Sequence, residues 1–383
     1  MLRLARQLRQ YVFRRRPSPA RPPPPLGALL DSGDKLEEET LRWYSLDLFY
    51  PVKIGDVFKS RYQVIGKLGH GGYSTRILSK PTFELNGYRQ HAYVALKIFE
   101  RDSGHGKREK EIYNHLTTLN STHTGSFLVR NALDDFQLKS TDNSCSYQCL
   151  VHAPLAMSLF ELRNRAVAKV LPENLLKPTL IHILLALDFL HTEARIIHTD
   201  IQEKNIMLSI EDQSILLDCE EAENYNPSPY KLVQNRIIYP SRKLRIPKVY
   251  GRPILSDFRE NEKIDVWNLG VLDLFEQGYL FYACDPEKKS SDTHHLTKMI
   301  VILGPPPKDM LHKSQYGDEF FDIDGNWKGA VEIPSISLEK LEDHLQGPQQ
   351  DLFLCFIRKM LQWRPEDRAS AKELLSDPWL KSP

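Results

Sequence analysis

The sequence predicts an α+β protein of two lobes, a small antiparallel sheet with one helix followed by a larger, mainly helical lobe. Three observations carry this. Between Tyr62 and Phe99, short runs rich in Val, Ile, Leu and aromatic residues are separated by Gly, Pro or Asn, the punctuation of antiparallel strands. After Leu159 the apolar residues recur at helical spacing over longer stretches. A chain of 383 residues with a hydrophobic fraction of 41% has enough apolar surface for a sizeable core.

Taken in order, residues 1–40 form a basic, Pro-rich extension, with seven arginines from Arg3 to Arg21, a Pro22–Pro25 run and no acidic residue before Asp31. This part is expected to stay out of the core. If residues 2–12 are helical, Leu4, Leu8, Tyr11 and Val12 share one face and Arg3, Arg6 and Arg9 the other. Such a segment is either a mitochondrial presequence or a disordered basic tail, with Pro17–Pro25 as a stiff linker. Globular sequence begins near residue 41 and contains no internal repeat. The first lobe, about 56–153, has strands at Tyr62–Lys67, Ser74–Leu78, Tyr93–Phe99 and Gln148–Val151. Its helix, Lys107–Leu119, carries Ile112, Leu116 and Leu119 at helical spacing. The second lobe, about 154–383, has a long helix from Pro172 through His191, an apolar and therefore buried helix over Asp265–Gly278, and helices at Gln350–Met360 and Ser370–Leu380.

Composition excludes several classes. Fifty-one Lys and Arg against fifty Asp and Glu leave a formal charge of +1, too weak a field to drive direct nucleic-acid binding. The five cysteines are odd in number and form no CxxC pair, which fits neither a disulfide framework nor a zinc cage and points to a reducing compartment. The apolar stretch Ile181–Leu190 is interrupted by His182 and Asp188 and falls short of the ~20 residues of a membrane span. His294 and His295 have no nearby Cys or third His. A monomer without a transmembrane segment is expected.

Three clusters carry chemistry. Gly69, Gly71 and Gly72 lie between two strands, where the missing Cβ lets backbone N–H groups approach phosphate oxygens; a plain tight turn has the same composition. Val94, Ala95, Leu96 and Lys97 end the next strand, placing a cation inside the lobe where it needs an anionic partner. Glu109 or Glu111, on the following helix, can supply it. The third cluster runs from Ile196 to Leu208: an apolar pair, His198-Thr199-Asp200, then Asn205 five residues after the aspartate, then another apolar run.

This third stretch resembles the HRDxxxxN catalytic loop of eukaryotic protein kinases. The glycine turn, the VALK strand, the Glu helix, this loop, Asp257-Phe258 and DVWNLG at 265–270 follow in that family's order. HTD in place of HRD, ILGPPP at 302–307, FFDIDGNWKG at 320–329, YPVKIGDVFKSRYQVIGKLG at 50–69 and an insertion at about 209–256 are similar to the SR-protein kinases, particularly the fungal ones. The resemblance covers residues 41–383. It implies a two-lobed protein kinase fold, and transfer of the ATP γ-phosphate, with Mg²⁺, to Ser or Thr of protein substrates. Those would be Arg/Ser-rich splicing factors, and the chain itself would be found in the cytoplasm and nucleus, with the mitochondrion left open by its Arg-rich start. It implies that Gly69, Gly71 and Gly72 cover the phosphates, that Lys97 pairs with the α and β phosphates, and that Glu109, which aligns better than Glu111, holds Lys97. Asp200 would orient the substrate hydroxyl and accept its proton, Asn205 and Asp257 would bind two Mg²⁺ ions, and main-chain groups of Ala153 and Leu155 would hold the adenine.

The chain also departs from that pattern. Arg76 stands where a Val covers the adenine, His152 precedes the hinge, Gln202 replaces the catalytic-loop Lys, and Arg259 replaces the Gly after Asp257-Phe258. Thr199 removes the Arg that would receive a phosphorylated loop. Asp257 and Asp265 are only eight residues apart, so no activation segment or APE motif fits after residue 259. The peptide platform is missing, and Arg368, of the WRPEDR stretch, loses its usual Glu partner. Two explanations stand: a splice or gene-model product that lost an internal segment, or a pseudokinase that binds nucleotide or a protein partner without transfer. The insertion, acidic at Asp218, Glu220, Glu221 and Glu223 and basic from Arg236 to Arg252, is expected to be a solvated loop.

Overall fold

The computed structural model describes residues 22–31, 33–82, 93–140, 142–258, 265–271, 280–281, 283–329, 331–334, 336–342 and 344–382. The Arg-rich start and Arg259 lie outside the described residues. The chain divides into two units. The first is Met1–Asn120, Arg130–Ala156 and Leu208–Gly251; the second is Ser121–Val129, Met157–Met207 and Arg252–Pro383.

The first unit is built on a six-stranded antiparallel sheet in the order β1-β2-β3-β4-β6-β5. The strands are β1 (Val57–Phe58), β2 (Tyr62–His70), β3 (Ser74–Pro81), β4 (Val94–Arg101), β5 (Ala132–Lys139) and β6 (Ser146–His152). Side chains alternate across a strand, and here both faces are covered. One carries Val64, Ile77, Val94, Leu96, Ile98, Cys149 and Val151, packed with Phe58, Tyr62, Phe136, Leu138 and Tyr147. The other presents Ile65, Leu78 and Tyr93 to Ile215, Leu216 and Cys219.

Those last three residues correct the expected solvated loop at 209–256. The segment folds into a helix, Ser214–Tyr225, and a hairpin of Lys231–Val233 with Arg236–Ile238, and it belongs to the sheet unit. The physical reason is charge complementarity. Glu220 takes Lys80 at 2.9 Å and the Tyr93 hydroxyl, Glu223 takes Arg242 at 2.6 Å, and Lys231 takes Glu39 at 2.9 Å. A short apolar stripe was concealed among these charges. The unit also reaches back before residue 41: Ala28 and Leu30 hydrogen-bond through their backbones to Tyr230, and Glu37–Thr40 forms a 3-10 turn with Glu38 buried. The extension therefore joins the fold well before residue 56.

The helix Gly104–Thr118 starts on Ser103, whose hydroxyl accepts the Gly106 N–H at 3.3 Å. It turns Gly106, Glu109, Tyr113 and Leu116 inward, the one-face spacing of an α-helix. A Cβ on Gly106 would lie 2.8 Å from the Phe99 ring, so glycine permits the close approach to β4 that fixes the helix's rotation.

In the second unit the long helix runs Glu173–Phe189, burying Leu176, Leu180, Ile183, Leu184 and Leu187, and continues in a π turn to Ala194. Those 22 residues are long and apolar enough to cross a membrane by length and composition, which the shorter stretch Ile181–Leu190 did not suggest. Yet 56% of the window is buried, the placement of a core helix. The buried helix begins at Asp265 and is described to Gly270; residues 272–279 lie outside the described residues. Near the end, Phe353 and Phe356 of the helix Pro348–Met360 pack on Trp379 at 4.9 and 5.1 Å between ring centroids. The single helix expected over Ser370–Leu380 is two, Ala371–Leu374 and Pro378–Lys381. Pro378 disfavours helical backbone at the residue before it, and Asp377 instead caps the second piece, accepting the Trp379 N–H at 2.9 Å.

Candidate active site

In the first unit, β2 and β3 meet at the glycine turn, closed by the Gly71 N–H donating to the Ser74 carbonyl at 2.7 Å. Nothing lies within 4 Å of where a Gly69 Cβ would stand, so the backbone there is open to approach. On β4, Lys97 is buried, with its Nζ 2.8 and 2.7 Å from the two carboxylate oxygens of buried Glu109. Glu111 is exposed, two residues along the helix and so turned away from the sheet. The Phe99 ring lies 5.0 Å from the same ammonium. Arg76 stands directly opposite Lys97 in the β3–β4 register, which puts two cationic side chains on one face.

Strand β6 ends at His152, which is fully buried. Its Nδ1 lies 3.0 Å from the Asn131 carbonyl, and its ring meets Tyr113 edge-on at 5.1 Å. The departure at this position is thus accommodated by a polar partner and an aromatic edge. Ala153 follows, exposed, and Leu155, half-buried, opens the next strand.

In the second unit the π turn ends at Arg195, φ 56°, and the chain enters the Ile196–Leu208 stretch. Asp265 fixes it: one carboxylate oxygen accepts the His198 N–H at 2.7 Å and contacts His191 Nε2 at 2.9 Å, and the other accepts the Thr199 N–H at 2.6 Å. Burial pushes the Asp265 carboxyl up, but the hydrogen bonds from His191, His198 and Thr199 outweigh it and hold the group below its ordinary range. Thr199 sits at φ 69°, a left-handed backbone that costs a β-branched residue roughly 1–3 kcal/mol and persists only where the surroundings impose it.

His198 is buried, and desolvation pushes its pKa down. Its Nδ1 accepts the Asp200 N–H at 3.3 Å, so the proton belongs on Nε2, which donates to the Ser256 carbonyl at 3.0 Å. Ser256 in turn donates its N–H and hydroxyl to the Asn205 carbonyl at 2.9 and 3.0 Å. Phe258 packs its ring 4.9 Å from His198. Asp257, between these two anchored residues, is held beside the loop at φ 67°.

The Asp200 carboxylate is held by two amides. Gln202 Nε2 donates to Oδ1 and Asn205 Nδ2 to Oδ2, both at 2.8 Å, and Asn205 Nδ2 also meets the Asp200 carbonyl at 2.9 Å. With the Asn205 Nδ2 committed to Asp200 and its backbone carbonyl accepting from Ser256, the side-chain Oδ1 is the atom that can serve a ligand. That oxygen and the Asp257 carboxylate are hard donors of the kind Mg²⁺ takes, so the residues present fit the ion. A cluster of Glu37, Glu38 and His70 has ligand atoms within 4.8 Å of one another, but Lys67 Nζ lies 2.7 and 2.5 Å from the two carboxylates and fills the place of a cation.

Two supports escaped the sequence reading. Arg163 pairs with buried Glu203 at 2.8 Å, bracing the loop, and no local pattern marks a pair forty residues apart. Asp265 was legible as part of DVWNLG, but its grip on His198 and Thr199 was not. Arg368, without an APE glutamate, lies over the Trp267 ring at 4.8 Å and donates to the carbonyls of Gln362 and Trp363 at 2.9 and 3.2 Å. Partial burial pushes its pKa down.

So Lys97, Glu109 and the glycine turn are arranged in one unit, and Asp200, Asn205 and Asp257 in the other. A profile of the protein kinase domain matches residues 62–380. A serine/threonine protein kinase of Aspergillus fumigatus is 40% identical over 401 aligned residues, covering 96% of this chain and 97% of that protein. The serine/threonine-protein kinase SRPK of Physarum polycephalum is 28% identical, covering 91% and 93%. A crystal structure of a kinase domain matches with a TM-score of 0.61 at 20% identity, covering 87% of this chain and 99% of that one; it shows the same fold, an antiparallel-sheet lobe and a helical lobe. The chain belongs to the protein kinase family, and its relatives are serine/threonine kinases.

Proposed function

We propose that this chain binds ATP with Mg²⁺ and belongs to the SR-protein kinase type, whose parent enzyme phosphorylates serines in Arg/Ser-rich splicing factors. The observation that carries the reading is the Asp200 carboxylate held by the Gln202 and Asn205 amides in a loop anchored on Asp265. A carboxylate so oriented is suited to align a substrate hydroxyl and accept its proton. Lys97, kept in place by Glu109, neutralises the α and β phosphates. Gly69, Gly71 and Gly72 cover the phosphates as a turn without side chains, its shape closed by the Gly71 N–H on the Ser74 carbonyl, and main-chain groups of Ala153 and Leu155 hold the adenine. Asn205 and Asp257 hold Mg²⁺, which when bound offsets charge on the phosphate oxygens.

The SR type is supported by the similarity to the Physarum SRPK relative. The eight-residue step from Asp257 to Asp265 leaves the peptide platform out. The Aspergillus alignment runs over 401 positions against a chain of 383, so that relative carries residues that this chain lacks. Radiolabelled ATP with an Arg/Ser-repeat peptide tests the reading. Incorporation that disappears in Asp200→Asn, with nucleotide binding retained, supports it. Nucleotide binding without incorporation in either protein assigns the chain to the pseudokinase alternative.

A further inference from the structure

The segment ahead of the sheet grips both strands that flank the glycine turn. Glu38, buried, uses one carboxylate oxygen to take Lys67 Nζ of β2 at 2.5 Å and the other to accept the Thr75 hydroxyl of β3 at 2.9 Å. Lys67 stands two residues before Gly69, and Thr75 three residues after Gly72. One carboxylate thus ties the two strands together at the base of the turn. Glu37 adds a second hold on Lys67 at 2.7 Å and is itself fixed by the Ser241 N–H and hydroxyl at 2.7 and 2.8 Å.

The tip of the turn is pinned as well. Tyr73, the residue after Gly72, stacks on Trp43 from the same leading segment, with ring centroids 6.0 Å apart and planes at 20°. It also stacks on His105, at the start of the helix Gly104–Thr118, at 4.2 Å and 24°. Trp43 also lies over Gly72, its ring 3.8 Å from where a Cβ would stand. Glycines give a turn many accessible conformations, and a ligand that needs one of them pays for the ordering unless the protein has already done it.

We propose that residues 37–43 are a strap that sets the glycine turn for phosphate, with Glu38 and Trp43 as positioning residues. The proposal rests on the nucleotide reading above and adds the element that tunes it. The strap acts on the polyphosphate end of the ligand and not on its adenine, because the side chains it holds on the sheet, Lys67, Tyr73 and Thr75, flank the glycine turn.

Titration calorimetry of the full chain with ATP and with adenosine tests this. Glu38→Gln and Trp43→Ala are expected to weaken ATP about tenfold and to leave adenosine unchanged, and Trp43→Phe is expected to restore ATP binding. Trp43 is 52% exposed, so its substitution leaves the fold intact even where the loss of Glu38 beside buried Lys67 does not. ATP affinity within twofold of the parent in Trp43→Ala overturns the strap, as does an equal loss of ATP and adenosine, which marks a loosened unit and not a mis-set turn. A parent chain that binds no ATP overturns the nucleotide reading itself, a separate result.

Discussion

Lys97 and Glu109 form a two-pronged ion pair, 2.8 and 2.7 Å from ammonium to the two carboxylate oxygens, with both side chains buried. Removing one member of a buried pair leaves the other's charge to be carried without water. Glu109→Ala is therefore expected to cost about 3–5 kcal/mol. Replacing both, as Lys97→Met with Glu109→Leu, is expected to recover most of that stability while abolishing ATP binding. Urea denaturation followed by circular dichroism reads the first quantity and calorimetry the second. A double variant as unstable as the single one would show that the pair itself is not the source of the cost.

Gln202 stands where the resemblance expects a lysine, and it spends its amide on Asp200 at 2.8 Å. An amide orients the carboxylate but brings no positive charge to a phosphoryl group in motion. A well-placed charged or hydrogen-bonding group at such a point is worth roughly 10²–10³ in rate. Gln202→Lys is expected to raise the transfer rate at least about tenfold in single-turnover measurements with radiolabelled ATP, with ATP affinity little changed. No gain in rate would place residue 202 out of reach of the reacting phosphate.

Much of the candidate site's local geometry was legible because its residues lie close together in sequence or on one strand. The interval from Asp200 to Asn205 and the apolar run into Lys97, which lies mid-strand in β4 and not at its end, are local patterns, and each has a hydrogen-bonded geometry. The choice between Glu109 and Glu111 was not legible from the residues alone. Both are helix glutamates, and what separates them is the close approach of Gly106 to Phe99 that sets the helix's rotation. The helix Ser214–Tyr225 was hidden for a related reason: its acidic face reads as solvated until its partners Lys80 and Arg242, distant in sequence, are known. The break at Asp377 was written in Pro378, and there a local rule was outweighed by apolar spacing that continued across it.

Adjacent leucines of that helix separate a folded element from a solvated loop. Leu216 is 0% exposed and packs against the sheet, whereas Leu217 is 37% exposed. Leu216→Ala is expected to cost about 2–5 kcal/mol through the cavity it leaves, and Leu217→Ala within about 0.5 kcal/mol. Thermal denaturation of the two variants side by side makes the comparison. Equal and negligible effects would return the segment to the surface.

Acid should loosen the anchor of the Ile196–Leu208 stretch in two stages. Burial holds the His198 pKa below its ordinary value of 6.5, and the hydrogen bonds to Asp265 hold that carboxyl below its ordinary 3.8. In both cases the folded state binds its proton less readily than the unfolded chain. Each contribution is therefore fully present above the unfolded pKa and is lost as pH falls toward the folded one. Stability should be level above about pH 7, decline as the pH drops below 6.5 through His198, and decline again below 3.8 through Asp265. Urea midpoints measured from pH 8 to 5 on the parent and on His198→Phe isolate the first stage from the other histidines. The variant starts lower, having lost the bond to the Ser256 carbonyl, but its slope over that range is expected to be shallower. Identical slopes would mean that His198 does not carry the neutral, Nε2-protonated imidazole on which the loop's hydrogen bonds depend.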